Sequence, residues 1–211
     1  MRLLITAGPT REYLDDVRFL SNASSGRMGC AIARAAVARG HQVVLVCGPL
    51  EVAPPPCTVR EVVSTQDMFA RCREEFPAAD ALVMAAAPAD FRPARRVRGK
   101  IKKSEGPITL KLVSAPDILA NLAERRISQV MVGFALEARD LARNARRKLR
   151  AKRLDLIVAN TPEAIAAERS TAHLFYPDGA EETLADMPKE AIAERIVEAV
   201  ERLVAQRRGD A

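Results

Sequence analysis

The sequence predicts an α/β fold: a Rossmann-like, doubly wound, mostly parallel sheet with an antiparallel excursion and a flap. Three observations carry the prediction. The apolar runs in Leu3–Ile5, Gln42–Cys47, Asp80–Ala86, Val130–Phe134 and Leu154–Ala159 are short and show no alternation, as in strands covered on both faces. Segments of helical length separate most of them, which implies parallel neighbours joined by right-handed crossovers. Two of the runs stop at Gly8-Pro9 and Gly48-Pro49, where the backbone must turn.

Each element follows in order. Ser24-Ser25-Gly26 opens an alanine-rich helix, Met28–Arg39, which Gly40 ends. After Gln42–Cys47 come a Pro-rich loop at 53–56, a strand at Val59–Val63 and a helix at Thr65–Glu75, capped by Thr65. Beyond Asp80–Ala86 the pattern changes. The stretch 91–113 is polar and carries Arg92, Arg95, Arg96, Arg98, Lys100, Lys102 and Lys103, so it reads as an excursion from the sheet, closing in a half-exposed strand at Ile108–Val113. A helix at Asp117–Arg126, a strand at Val130–Phe134, a basic helix at Ala138–Lys152 and a last parallel strand at Leu154–Ala159 resume the alternation. His173–Tyr176 and Glu182–Leu184, on either side of Pro177-Asp178-Gly179, form an antiparallel hairpin. Lys189–Gln206 is an amphipathic closing helix, and Arg207–Ala211 is expected to fray. Residues 1–211 read as a single domain.

Composition narrows the function classes. Aromatic residues make up 4% with no Trp, which argues against stacking platforms for nucleic acid. Lys and Arg exceed Asp and Glu by 33 to 27, a net charge of +6 that favours anionic partners. That charge is mostly spread along the chain, so a dedicated RNA or DNA face is not expected and small phosphorylated molecules satisfy it. The four cysteines have no C-x-x-C spacing and only two His are present, so a zinc site is not expected. Cys30 and Cys47 read as small core residues in a reducing cytosol. Met1-Arg2 leads directly into the first strand without a signal peptide, and no stretch approaches the roughly 20 apolar residues of a membrane span. A cytoplasmic location is expected.

Chemistry is expected at the carboxyl ends of the strands. Strand, loop and helix start follow one another from Ile5 to Gly29, and free backbone N–H groups at a helix N-terminus make an anion site. Asn22, Ser24 and Ser25 add side-chain donors there, and Arg11, Arg18 and Arg27 add charge. A phosphate cradle and a plain Ser-capped helix both fit this stretch. The small residues Ala85-Ala86-Ala87 admit a flat ligand to the backbone, with Asp90 placed to accept from a base or ribose, or else to cap a turn before Pro93. Gly133, Phe134 and Glu137, and Asn160-Thr161, stand at two further strand ends. Lys100-Ile101-Lys102-Lys103 reads as a basic flap over a polyphosphate or as a solvated loop. Lys148 and Lys152, four apart, share one helix face, which suits two points of phosphate or base contact or a solvated amphipathic face. There is no G-x-x-x-x-G-K-[ST], and the first loop lacks G-x-G-x-x-G, which disfavours a P-loop hydrolase and a dinucleotide oxidoreductase. His41 and His173 read as structural. A reductase on the same scaffold and a non-enzymatic basic nucleotide-binding module stand as the competing classes.

The run ITAGPTRE…D-x-VRF-x-SN-x-SSG-x-MG, the KIKK flap, PDIL at 116–119, VGFA at 132–135 and K-x-x-x-K-x-x-DLIVAN at 148–160 resemble phosphopantothenoylcysteine synthetase, across essentially the whole chain. The resemblance implies a ligase of coenzyme A biosynthesis. In the implied reaction the carboxylate of 4′-phosphopantothenate attacks the α-phosphate of CTP to give an acyl-cytidylate and pyrophosphate, and the amine of L-cysteine then displaces CMP to form the amide. Mg²⁺ is expected with the triphosphate, with its ligands unassigned. The resemblance further implies Asn22, Lys100 and Arg18 as catalytic, and Gly8, Ser24, Ser25, Gly26, Asp90, Lys100, Phe134, Lys148 and Lys152 as nucleotide-binding. Asn22, Ala86, Ala87 and Asn160 are implied for the acyl substrate. It also implies a homodimer, to whose contact residues 91–113 contribute, and a flavin-dependent decarboxylase that is fused or separate. The chain departs from the family pattern at Asp16 (usually Pro), Pro88 (commonly Val), Ala115 (usually Asn) and in the stretch between Asn160 and His173.

Overall fold

A computed structural model describes residues 1–103, 105–165 and 167–209. Its frame is an eight-stranded sheet. Six strands are parallel: β1 (Arg2–Ala7), β4 (Gln42–Cys47), β5 (Thr58–Glu61), β6 (Ala81–Met84), β9 (Val130–Leu136) and β10 (Leu156–Asn160). β11 (Arg169–Phe175) and β12 (Glu181–Pro188) add antiparallel strands at one edge, giving the order β12-β11-β10-β9-β6-β1-β4-β5. From β1 the chain first winds toward β5, then returns to build outward from β6. The switch therefore falls between β1 and β6, where an open-sheet ligand site is expected.

Alternation along β1 sends side chains to two cores. Leu3, Ile5 and Ala7 join Ile32 of α1 (Arg27–Ala38) and Ile192, Ile196 and Val200 of α5 (Lys189–Gly209). Leu4, with Val44, Leu82, Met131 and Ile157, meets Met68 of α2 (Thr65–Glu75), Leu122 of α3 (Ile118–Ala123) and Leu149 of α4 (Leu141–Ala151). The sheet is covered on both faces, as the unbroken apolar runs required. Cys30 and Cys47 are buried among these side chains.

Several boundaries differ from the sequence expectation. The polar segment after Gly8-Pro9 is a hairpin, β2 (Arg11–Tyr13) with β3 (Phe19–Ser21). The cap of α2 is Ser64, in a reciprocal box with Asp67, whereas Thr65 is buried and its hydroxyl lies 2.9 Å from that of Thr10. Of the expected strand 108–113 only Leu112 and Val113 are strand, in β8 (Leu112–Ser114), which pairs with β7 (Phe91–Pro93). α4 starts at Leu141 rather than Ala138 because Asp140 takes a left-handed conformation (φ 53°) that ends the preceding turn. The terminal helix does not stop at Gln206: Arg207 donates to the Gln129 carbonyl at 2.6 Å and to the Asp155 carboxylate at 2.5 Å, which carries α5 to Gly209. The remainder of the expected frayed tail, 210–211, lies outside the described residues.

Candidate active site

A cleft of about 520 Å³ opens at the carboxyl ends of β1, β6, β9 and β10. One wall is the loop and helix start Asn22–Gly29. Gly26 precedes α1 in a left-handed conformation (φ 77°), no side chain caps the helix, and its first turn carries no acid. The leading N–H groups of α1 are therefore left for a ligand, and the macrodipole there favours an anion. The facing wall comes from Ala85, Ala86, Ala87 and Asp90 after β6, and the floor from Phe134, Lys148 and Asn160. A second cavity of about 220 Å³ continues behind Ala86, Asp90, Phe134 and Lys148, and is lined further by Ala115, Asp117 and Lys152. Lys148 pairs with Glu137 at 2.8 Å and Lys152 with Asp117 at 2.9 Å, so both ammonium groups are oriented before any ligand arrives.

Asn22 ties the two walls together. Its side-chain amide donates to the carbonyl oxygens of Ala87 at 3.2 Å and Pro88 at 3.0 Å, across the switch between β1 and β6. The backbone bond from Ala87 N–H to the Gly8 carbonyl, at 3.0 Å, closes the same junction. Gly8 itself does not line the cleft. It is a buried turn residue with φ 75°, and a side chain there would meet the Pro49 carbonyl at 2.8 Å.

The flap is held at its root by two neighbouring carboxylates. Asp15, buried at the tip of the β2–β3 hairpin, accepts from the backbone N–H groups of Val17 (2.8 Å), Arg18 (2.7 Å) and Ile101 (3.0 Å). Burial pushes its pKa up, but those backbone donors and the Arg18 charge outweigh burial and hold the carboxyl below its ordinary value. Asp16 accepts from the Gly99 N–H at 2.7 Å and from Arg96 at 3.0 Å, which likewise lowers its pKa. Arg18 donates to Asp15 at 3.3 Å and to the Ile101 carbonyl at 3.2 Å.

Over residues 1–204 the chain matches the model of the family described as DNA/pantothenate metabolism flavoprotein C-terminal domain. The chain belongs to this family. It is 40% identical over 210 residues to the coenzyme A biosynthesis bifunctional protein CoaBC of Bacillus subtilis (strain 168), covering 97% of this chain and 52% of the relative. The chain thus spans about half the length of the curated relatives it matches. The crystal structure of the C-terminal domain of a CoaBC protein shares its fold with a TM-score of 0.85 at 35% identity, covering 97% of this chain and 96% of that one. A mutant Cab2 in complex with phosphopantothenate-cysteine gives a TM-score of 0.86 at 18% identity over 99% of this chain and 88% of that one, a likeness of fold.

For this family member, the structure brings together most of the residues that the sequence singled out. Asn22, Ser24, Ser25, Gly26, Ala86, Ala87, Asp90, Phe134, Lys148 and Asn160 line one cleft, and Lys152 lines its extension. Arg18 and Lys100 are not among the lining residues of either cavity. They stand exposed at the flap root, with Lys100 between the two backbone positions that Asp16 and Asp15 hold. The unusual Asp16 serves that anchoring, and Ala115 leaves the second cavity free of a side-chain amide. Lys189 and Ile165, which also line the cleft, were not expected there. A signal for Lys189 existed: it is a cation at the first position of a helix, where acids are favoured.

Proposed function

We propose that this chain is a ligase of coenzyme A biosynthesis that joins 4′-phosphopantothenate to L-cysteine through an acyl-cytidylate formed from CTP. One observation carries the reading: the uncapped N-terminus of α1, with Ser24 and Ser25, faces Asp90, Phe134 and Lys148 across a single cleft at the switch between β1 and β6. The B. subtilis relative is named for coenzyme A biosynthesis, and the motifs quoted above resemble the synthetase.

In this scheme the α1 N-terminus and the two serines hold phosphate oxygens, while Phe134 and the Ala85–Ala87 backbone receive the flat base. Asp90 accepts from the ribose or base, and Lys148 and Lys152 offset phosphate charge. No unusual base is needed, because the attacking carboxylate is already ionised. Positioning and charge neutralisation supply the barrier reduction, with Lys100 delivered by the flap as pyrophosphate leaves. Mg²⁺ would accompany the triphosphate and offset its charge, and Asp90, the one carboxylate lining the cleft among the described residues, would be the side chain placed to help hold it. The reading includes a cytoplasmic homodimer and a decarboxylase partner, fused or separate. No described helix is long and apolar enough to cross a membrane.

The test is pyrophosphate release with 4′-phosphopantothenate and Mg²⁺, comparing CTP with ATP, with and without cysteine. Phosphopantothenate-dependent release followed by cysteine-dependent CMP formation is expected. Release with ATP alone would overturn the choice of nucleotide, and no release with either would overturn the ligase reading.

A further inference from the structure

Helix α5 begins with a cation in the wrong place for stability. Lys189 is its first residue, is only 6% exposed, and lines the cleft beside Arg27, Ala164 and Ile165. Three effects oppose a charged ammonium there. Burial removes its water. The positive end of the α5 macrodipole repels it. Arg27, also at the cleft wall, adds a like charge; burial first, then Arg27, lower the Lys189 pKa, and the neighbouring Glu190 carboxylate offsets them only in part. Lys148 and Lys152 each have a carboxylate partner, whereas among the described residues the Lys189 ammonium has the Ile165 carbonyl oxygen, at 3.1 Å, and no ion pair. An ammonium carries three donors, so this contact leaves two. A side chain that breaks several local rules at once belongs to a functional site more often than to a scaffold.

We propose that Lys189 binds a phosphoryl group of the substrate, completing with Arg27 and the free N–H groups of α1 a cradle that is overcharged until an anion enters it. A phosphate would satisfy the remaining donors and cancel the repulsion between the two cations. The inference rests on the ligase reading, which supplies two sources of that group: the nucleotide triphosphate and the phosphate of 4′-phosphopantothenate. Lys189 reaches the cleft from α5, whereas the Ala85–Ala87 wall that the reading gives to the base follows β6.

The experiment compares wild type with Lys189→Met and Lys189→Arg. Calorimetry would measure binding of a non-hydrolysable CTP analogue, 4′-phosphopantothenate and inorganic pyrophosphate separately, and steady-state kinetics would give KM and kcat for each substrate. Lys189→Met is expected to weaken one phosphorylated substrate about tenfold or more, the scale of a charge-assisted hydrogen bond, with its KM rising and kcat less affected. Lys189→Arg is expected to restore most of that affinity, and the substrate affected names the source. Equal loss of kcat with both substrates and unchanged affinities would mean that Lys189 only props the Ile165 loop, and would overturn the proposal. So would wild-type affinity for all three probes in the methionine variant. A wild type that neither binds nor turns over would instead defeat the ligase reading. Should Lys189→Met not fold, Arg27→Met, at an exposed position that leaves the Ile165 contact intact, carries the same comparison, and unchanged affinities there would overturn the shared cradle.

Discussion

Gly29 rests directly on Ala7. A side-chain carbon on Gly29 would come within 2.5 Å of the Ala7 Cβ and 2.7 Å of the Thr6 carbonyl oxygen, so α1 sits on β1 with only a hydrogen atom between them. This contact fixes how far the helix N-terminus stands from the cleft. Gly29→Ala must push the helix away, at a cost of about 1–3 kcal/mol typical of overpacking. Urea unfolding is expected to show that loss, together with weaker CTP binding; an unchanged midpoint would mean that the contact is soft.

Asn22→Asp replaces a donor to two carbonyl oxygens with a carboxylate that repels them. Because the residue is exposed, melting temperature should change little, while turnover should fall on the order of 100-fold, as for a displaced catalytic group. Lys100→Gln, also exposed, should likewise spare stability and abolish pyrophosphate release. Full turnover in either variant refutes its assigned role.

Lys148 stands where the two cavities meet, paired with Glu137. Its partly exposed ion pair is worth at most about 1 kcal/mol. Lys148→Met should therefore leave the unfolding midpoint nearly unmoved and raise the KM for CTP without raising that for cysteine. Parallel increases for both substrates would contradict a nucleotide contact.

Glu201 joins α5 to the far end of α1. It accepts from Arg39 at 2.6 Å and lies 2.7 Å from His41, and Arg39 chiefly, with His41, holds its pKa near 2 against burial, down from an ordinary 4.5. A depressed carboxylate stabilises the fold above its unfolded pKa and loses that contribution as pH falls through its folded value. Stability should decline between pH 4.5 and about 2, and Glu201→Gln should flatten that limb while lowering stability at pH 7. Thermal melts across this range decide it; a variant with the wild-type acid limb would remove Glu201 from the account.

The five inner parallel strands were legible in the sequence because each is built on an apolar run, whereas the edge strand β5, Thr58–Glu61, is mostly polar; the residues grouped in the cleft were legible because several of them follow those runs. The β2–β3 hairpin was not, since Arg11–Tyr13 and Phe19–Ser21 are only three residues each and their pairing depends on the turn organised by Asp15. The α4 start was misplaced because a single left-handed Asp140 decides it. Lys189 escaped notice because its neighbourhood is tertiary: Arg27 and Ile165 reach it from distant parts of the chain.

Asp15 and Asp16 at the hairpin tip grip Ile101 and Gly99, while the base of the same hairpin leads into Asn22. The flap and the bridge across the sheet are thus two arms of one lever pivoted on a short β-ribbon. Under the proposed function, a movement of Lys100 toward a triphosphate would pull, through this ribbon, on the bonds from Asn22 to the Ala87 and Pro88 carbonyls. Under that reading, nucleotide arrival and the seating of the acyl substrate would be felt through the same short ribbon.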